Sequence, residues 1–121
     1  MRAMSALLDD LSNSGLLEST LVVMAGEFGR TPKVFRLPQH YAKPGRDHWG
    51  AVQSVMLAGC GFGEGRIIGS SDGQGGQPED DRKSAENLAA TMYTALGIPK
   101  GSHWYDLQER PMPLYNADPI S

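Results

Sequence analysis

The sequence holds one cysteine, Cys60, and no long apolar run. A single cysteine excludes an intramolecular disulfide, so cysteine usage leaves the redox compartment open. Cys60 is predicted to be a small buried residue beside a glycine-rich loop. No stretch approaches the roughly 20 apolar residues of a membrane-spanning helix, and the first residues lack the apolar core and cleavage site of a signal peptide. The sequence therefore predicts neither a disulfide-stapled scaffold nor a membrane span.

An excess of positive charge is also missing. The chain has 11 Lys and Arg residues against 14 Asp and Glu residues, which gives a formal net charge of -3. This mild acidity argues against a nucleic-acid partner, because such partners are usually bound by basic domains. At 121 residues, the chain is a single domain or part of a larger one.

Several common catalytic motifs are absent as well. The chain has no G-x-S-x-G nucleophile elbow and no Walker loop. The glycine-rich stretch 59–65 offers no register that satisfies G-x-G-x-x-G, so it is predicted to be a connector with unusual backbone angles. Any chemistry must therefore come from other side chains.

Two stretches space their apolar residues as an amphipathic helix does. The first predicts a helix over residues 2–14, with Gly15 as its left-handed C-terminal cap. The second predicts a helix that begins after Ser84, a favourable N-cap, and ends at Gly97. Beyond it, residues 99–121 have little periodicity and several prolines, so they are predicted to form an extended tail that packs on the body of the chain or trails from it.

Apolar runs between the helices predict strands. Thr20–Ala25 is apolar without alternation, which suits a strand buried on both faces of a parallel sheet. Residues 51–58 predict a second strand, and residues 66–69 predict a short edge strand. Residues 32–47 hold three prolines and a cluster of basic groups, and they are predicted to form a long loop. The pattern indicates an α/β fold.

The first predicted strand ends in a turn with charged side chains, Gly26-Glu27-Phe28-Gly29-Arg30-Thr31-Pro32. Ligands of open α/β sheets sit just outside the carboxyl ends of strands, so this turn is a candidate site. Glu27 is predicted either to bind a ligand or to form a structural ion pair with Arg30 or Arg46. The two arginines are either anion-binding groups or surface residues. Thr31 is either an oxyanion contact or a turn residue.

A second cluster, Gly45-Arg46-Asp47-His48-Trp49-Gly50, follows the predicted loop. Carboxylate and imidazole groups suit zinc, manganese or iron, so Asp47 and His48 are candidate metal ligands. A complete site needs three or more protein ligands. A hydrogen-bonded structural role for His48 is therefore the alternative.

These segments together resemble a known family. Gly26–Pro32, Gly45–Trp49 and Ser54–Gly59, with the helical stretch Glu86–Ile98, are similar to the bacterial domain-of-unknown-function family 1501. That family is sulfatase-like and belongs to the alkaline phosphatase superfamily. The resemblance covers nearly all of the chain.

The resemblance implies an α/β/α sandwich with a mostly parallel sheet, of which this chain is the C-terminal portion. It implies a hydrolase of sulfate or phosphate esters that uses divalent metal ions, with zinc, calcium, magnesium and manganese as candidates. The substrate would be an anionic small-molecule or polysaccharide ester. By the resemblance, Glu27 and His48 stand at metal-binding positions, and Asp47 is a further ligand or orients His48. With Arg30, Arg46 and Thr31 as anion-binding residues, these form the candidate site.

The chain departs from the superfamily pattern at two points. Phe28 stands where the superfamily often has a metal-binding His, and nothing here replaces the nucleophile that lies far upstream in superfamily members. The catalytic residues therefore stay unidentified. We expect residues 1–121 to be a single domain or the C-terminal part of a larger sulfatase-like domain. Such a part would be inactive alone and completed by an N-terminal portion of the same chain.

Two other interpretations stay open. A non-catalytic binding or structural member of the same fold is favoured by Phe28, because a phenylalanine ring cannot bind a metal. A small independent module is the third interpretation. The resemblance implies export of the parent protein to the periplasm or the cell exterior in many members, while the sequence itself leaves the compartment open.

Overall fold

The computed structural model describes residues 2–40, 42–62 and 65–120, so residues 63 and 64 of the predicted glycine-rich loop lie outside it. The described residues form a mixed α/β fold with two helices and small antiparallel sheets. The chain divides into two compact units, Met1–Arg82 and Lys83–Ser121. Of the helices in the described ranges, neither has the length and apolar character needed to cross a membrane.

The first unit begins with helix α1, which spans Arg2–Asn13. It ends beside Gly15, as predicted, where the chain adopts a left-handed φ of 73° that favours glycine. A 3₁₀ turn over Leu16–Glu18 follows. No described side chain of α1 is fully buried, so the apolar stripe of this helix is only partly covered.

Four strands of the first unit form a long, interrupted antiparallel hairpin. They are β1 (Val22–Ala25), β2 (Gly29–Arg30), β3 (His48–Trp49) and β4 (Val55–Ala58). β1 pairs with β4, and farther along the same two branches β2 pairs with β3. An isolated bridge between Phe35 and Gly45 lies beyond them. The two branches therefore run side by side from Val22 to the Phe35–Gly45 bridge and back to Ala58.

The direction of this pairing corrects the parallel sheet that the apolar run of β1 predicted. A parallel pair needs a crossover connection, which is usually a helix. Residues 26–54 contain two short strands and loops, and no helix is described there. The chain therefore returns along β1 in the opposite direction, and none of the described strand pairs is parallel.

The predicted edge strand over residues 66–69 is also corrected. Pairing begins one residue later, where β5 (Ser70–Ser71) lies against β6 (Pro78–Asp80). Gly69 has a left-handed φ of 75°, which interrupts an extended strand. The four residues before Ser70 are therefore an irregular connection.

The second unit is organised by helix α2, Ala85–Ala95. Ser84 caps it as predicted, since the Asn87 amide donates to the Ser84 hydroxyl and the Ser84 amide donates to the Asn87 side chain. Ala90 and Thr91 form its buried face. Leu96 follows the helix, and a left-handed Gly97 ends it, as predicted.

The segment predicted as an extended tail folds back on α2. The Ile120 amide donates to the Thr91 hydroxyl at 2.8 Å, and the Tyr115 hydroxyl donates to the Ile98 carbonyl at 2.9 Å. The Tyr115 ring also stacks on that of Tyr93, with 5.3 Å between their centroids. Within the segment, β7 (His103–Tyr105) pairs with β8 (Pro111–Pro113) in an antiparallel hairpin.

Candidate anion and metal site

The two charged clusters of the sequence face each other across the hairpin of the first unit. Arg30 in β2 is the cross-strand partner of His48 in β3. The next residue along, Thr31, donates its amide to the Asp47 carbonyl at 2.9 Å. Four of the six predicted site residues therefore lie on adjacent rungs of one ladder, although the clusters are separated by a long loop in the sequence.

Thr31 joins the two clusters through its side chain as well. Its hydroxyl accepts a hydrogen bond from the Asp47 amide at 3.0 Å and donates to the Lys33 carbonyl at 3.0 Å. Thr31 is also one of the few buried residues of the first unit. Since a hydroxyl has one hydrogen to donate, contact with an anion through that hydrogen would require exchange of the bond to Lys33. The geometry indicates that Thr31 holds the two branches of the hairpin together.

Aromatic stacking places the two best candidates for ligand binding against Phe28. The rings of Phe28 and His48 stack with centroids 3.8 Å apart and an interplanar angle of 28°. The Arg30 guanidinium carbon lies over the Phe28 ring at 5.1 Å, a distance typical of a cation–π contact. Stacking covers the face of the imidazole and leaves its nitrogens, which point outward in the ring plane, available for a ligand.

The Arg30 side chain reaches the backbone of Arg46 in the second cluster. Arg30 donates from Nη1 to the Arg46 carbonyl at 3.4 Å, which brings the two residues together by backbone contact. Both residues are exposed. Within the described residues, neither guanidinium forms an ion pair with a carboxylate. Guanidinium groups without a carboxylate partner suit an anion.

Glu27 lies on the first branch, next to Phe28, and is exposed. The sequence left open an ion pair between Glu27 and Arg30 or Arg46, but no such pair is present among the described residues. Without a neutralising partner, its carboxylate is available to a cation. Its role as a metal ligand stays a prediction.

The side chains fit only part of a metal site. Asp47 and His48 offer an oxygen and an imidazole, the donor types that zinc and manganese accept. The Asp47 carboxylate already accepts a hydrogen bond from the His48 amide at 2.7 Å. In the parts of the chain that the structure describes, no three His, Cys, Asp or Glu side chains converge closely enough to hold an ion. These residues alone therefore do not complete a coordination sphere.

A third segment supports the site and was missed from the sequence. The indole nitrogen of Trp49 donates to the Gly76 carbonyl at 2.6 Å, which ties β3 to the loop between β5 and β6. Gly76 is buried, and a Cβ there would lie 3.5 Å from the Pro32 ring. The only signal of this segment in the sequence is the turn-forming run Asp72-Gly73-Gln74-Gly75-Gly76. This run predicts a loop but does not indicate that the loop contacts Trp49.

Asp72 holds that loop in shape. Its carboxylate accepts the amides of Gly76 at 2.7 Å, Gln77 at 2.9 Å and Gln74 at 3.1 Å. These bonds, that of Gly76 foremost, hold the pKa of Asp72 below the usual carboxyl value. Asp72 therefore acts on the site from a distance, by presenting the Gly76 carbonyl to Trp49.

Comparison with known proteins identifies a family. No curated protein and no solved structure is similar to this chain. Residues 2–121, nearly the entire chain, match a family described as "Protein of unknown function (DUF1501)". The motifs around Arg30 and His48 predicted this family, and the match confirms it. The chain is therefore a member of the DUF1501 family of proteins of unknown function.

Proposed function

We propose that this chain supplies one wall of the active site of a hydrolase that cleaves sulfate or phosphate esters. The observation that carries the proposal is the ladder that pairs Arg30 with His48 and Thr31 with Asp47. With Glu27 and Arg46 on the same two branches, the hairpin carries two guanidinium groups, two carboxylates and an imidazole. This is the set of groups that binds a tetrahedral anion and a divalent cation together.

In this proposal, each predicted side chain has a distinct task. Arg30 and Arg46 bind the anion's oxygens, and Thr31 fixes the spacing between their branches. Glu27, Asp47 and His48 contribute ligands to a divalent metal ion, with the remaining ligands coming from residues outside this chain. Such an ion, when bound, stabilises negative charge on the ester oxygens. The nucleophile is also contributed from outside these residues.

The resemblance of the sequence motifs to the sulfatase-like superfamily extends the proposal to the fold. The parent protein would be an α/β/α sandwich of the alkaline phosphatase superfamily, and the β1–β4 pair would join a mostly parallel sheet formed with further strands. The apolar composition of β1 supports the sandwich, because the strands of a sheet between two layers are covered on both faces. Met24 and Ala25, the second half of β1, are exposed in the present chain, so a covering layer would bury apolar surface.

A non-catalytic member of the same fold is the second candidate. The stacking of Phe28 on His48 favours it, since an aromatic ring occupies a position where a sulfatase often has a metal-binding His. In that case the hairpin would bind an anion without turning it over. Fold alone does not separate these two functions.

The test uses the protein expressed in full, with any sequence that its gene encodes around these residues. Metal content is measured after dialysis against zinc, manganese, calcium or magnesium, and hydrolysis of 4-nitrophenyl sulfate and 4-nitrophenyl phosphate is followed. We expect His48→Ala to lower both metal content and hydrolysis. The matched control is His103→Ala, in exposed strand β7, which should change neither.

Two results would contradict the hydrolase. The first is a folded protein that retains no stoichiometric metal and cleaves neither ester. The second is unchanged metal content and hydrolysis in His48→Ala, which would make His48 a structural residue. Anion binding without metal or turnover would favour the non-catalytic candidate.

A further inference from the structure

The end of the hairpin differs from the rest of the chain in its charge. The segment from Lys33 to Arg46 carries four Lys or Arg residues and no Asp or Glu, in a chain whose formal net charge is -3. We call its described residues, 33–40 and 42–46, the basic arm. Every residue of the basic arm is exposed. The mild acidity of the whole sequence therefore conceals a segment of concentrated, exposed positive charge.

The cations of the basic arm are not neutralised locally. Among the described residues, no carboxylate pairs with Lys33, Arg36 or Lys43. Clustered cations without counter-charges attract an anionic surface, and the attraction extends over about a Debye length, roughly 8 Å at physiological salt. A partner for the basic arm must therefore carry negative charge.

The basic arm also exposes large apolar side chains among these cations. Val34 is 64% exposed, Phe35 is 46% exposed and Leu37 is 43% exposed. A soluble polyanion such as a nucleic acid or a charged polysaccharide makes little use of valine and leucine. An anionic lipid surface accepts both groups at once, because apolar side chains enter below the headgroups while cations bind the phosphates.

Part of the backbone of the basic arm is paired internally. Phe35 and Gly45 exchange hydrogen bonds of 2.7 and 3.0 Å, and the His40 amide donates to the Leu37 carbonyl at 2.9 Å. Backbone groups that are paired internally can approach a lipid surface without losing bonds to water. Pro44 lacks an amide hydrogen, and prolines at a strand edge disfavour the addition of a strand from a protein partner.

We propose that the basic arm docks the protein on an anionic lipid surface. Val34, Phe35 and Leu37 enter the headgroup region, and Lys33, Arg36 and Lys43 bind lipid phosphates. This is peripheral attachment, which needs no spanning helix. It is independent of the ester-hydrolase proposal, and it would hold a site built around Arg30 and His48 close to the lipid surface.

The experiment is co-sedimentation of the 121-residue chain with vesicles of phosphatidylcholine alone or of phosphatidylcholine with phosphatidylglycerol. We expect binding to the anionic vesicles only, and weaker binding in high salt. Replacing Lys33, Arg36 and Lys43 together by Gln should weaken binding about a hundredfold, from about fivefold for each cation. Replacing Val34, Phe35 and Leu37 together by Ser should weaken it about tenfold or more.

A matched control lies elsewhere in the first unit. Arg66 and Ile67 are an exposed cation and an exposed apolar residue, Ile67 being 94% exposed. The double variant Arg66→Gln with Ile67→Ser should bind as the unchanged chain does. Amide NMR spectra of all variants verify that the hairpin is intact.

Three outcomes would overturn the proposal. One is no binding to anionic vesicles, and another is equal binding to neutral vesicles. The third is a dependence on the cations with no effect of the apolar replacements, together with equal binding to a soluble sulfated polysaccharide. That result would assign the basic arm to a polyanion in solution.

Discussion

The two units of the chain are stabilised in different ways. In the second unit, the buried side chains are those of a helix and its covering tail, among them Ala90, Thr91 and Tyr115. Among the described residues of the first unit, Thr31 and Gly76 are buried, and each makes a hydrogen bond that holds the hairpin, Thr31 with Asp47 and Gly76 with Trp49. The second unit therefore depends on a capped helix and the tail that packs on it, and the first depends on the register of a long hairpin.

This difference has a functional meaning. Groups that bind ligands must be exposed, so a segment that presents many of them has few side chains left for a core. The hairpin uses backbone pairing, one buried hydroxyl and the Trp49–Gly76 bond for support. Substitutions in the hairpin should therefore disturb binding, whereas comparable substitutions around α2 should disturb stability alone.

The largest effect is expected at Gly29. A Cβ on this residue would lie 1.7 Å from the Val52 carbonyl oxygen and 2.9 Å from that of Trp49. Gly29→Ala must therefore force β2 and the neighbouring branch apart, at a cost of about 3 kcal/mol. Gly45→Ala is the control, because a Cβ there meets nothing within 4 Å.

The measurement is residue-resolved hydrogen exchange. Gly29→Ala should speed exchange of the amides in β2 and β3 and leave those of α2 unchanged. Equal protection of β2 in both variants would show that the close approach at Gly29 is absent in solution.

Replacing the buried threonine of each unit, Thr31 and Thr91, gives a matched pair of variants with a smaller expected effect on stability. Thr31→Val leaves the Asp47 amide and the Lys33 carbonyl without their partner, and Thr91→Val does the same to the Ile120 amide. Each should lower the free energy of unfolding by about 1–3 kcal/mol, as expected for an orphaned buried group.

Binding of inorganic phosphate separates the two threonine variants. Thr31→Val should weaken phosphate binding, and Thr91→Val should not. Thr31→Ser retains the hydroxyl and should restore binding. A loss of binding in both valine variants would remove the contrast between the units.

The sequence predicted the second unit better than the first. The Ser84 cap and the Gly97 stop act within a few residues of the helix that they bound, so the pattern alone locates them. Composition predicted strands over residues 20–25 and 51–58, which are shorter in the structure, and it did not predict their antiparallel direction. Direction depends on what connects two strands, and no sequence pattern shows that residues 26–54 lack a crossover helix.

The sequence predicted which residues form the candidate site, but it did not predict the contacts that hold them in place. The charged residues were identified because carboxylates and guanidinium groups beside glycines are visible in sequence. The linking role of Thr31 and the bond from Trp49 to Gly76 depend on contacts over many residues. Such contacts leave no periodic pattern, so only the three-dimensional structure reveals them.

A substitution at the cap of α2 should have a smaller effect. Ser84→Ala removes the hydroxyl that accepts the Asn87 amide and should lower helix stability by about 1 kcal/mol. Hydrogen exchange should increase in the first turn of α2 and stay unchanged in β1 to β4. An equal increase in the hairpin would show that the two units share their stability.

The smallest effect at neutral pH is expected at Asp72, and it should grow in acid. Its folded-state pKa lies below the usual value of 3.8 because backbone amides stabilise the carboxylate. The stabilisation is therefore complete above the unfolded-state pKa and is lost as pH falls through the folded-state pKa.

The indole N–H signal of Trp49 reports this loss directly. Its NMR shift should change in acid as the loop releases the Gly76 carbonyl. Asp72→Asn should move the indole signal toward its acid position already at neutral pH, while Asp9→Asn, in exposed helix α1, should leave it unchanged. If the indole shift of Trp49 changes neither with pH nor in Asp72→Asn, the loop does not support β3 through the Gly76 carbonyl.

The central claim is that the clusters around Arg30 and His48 form one binding site. A titration of the chain with inorganic phosphate, followed by amide NMR, tests it most directly. We predict that the amides of residues 29–31 and 46–48 shift together and yield the same dissociation constant, while nuclear Overhauser effects between Arg30 and His48 show the ladder to be formed. Shifts confined to one branch, or different constants for the two branches, would contradict the claim.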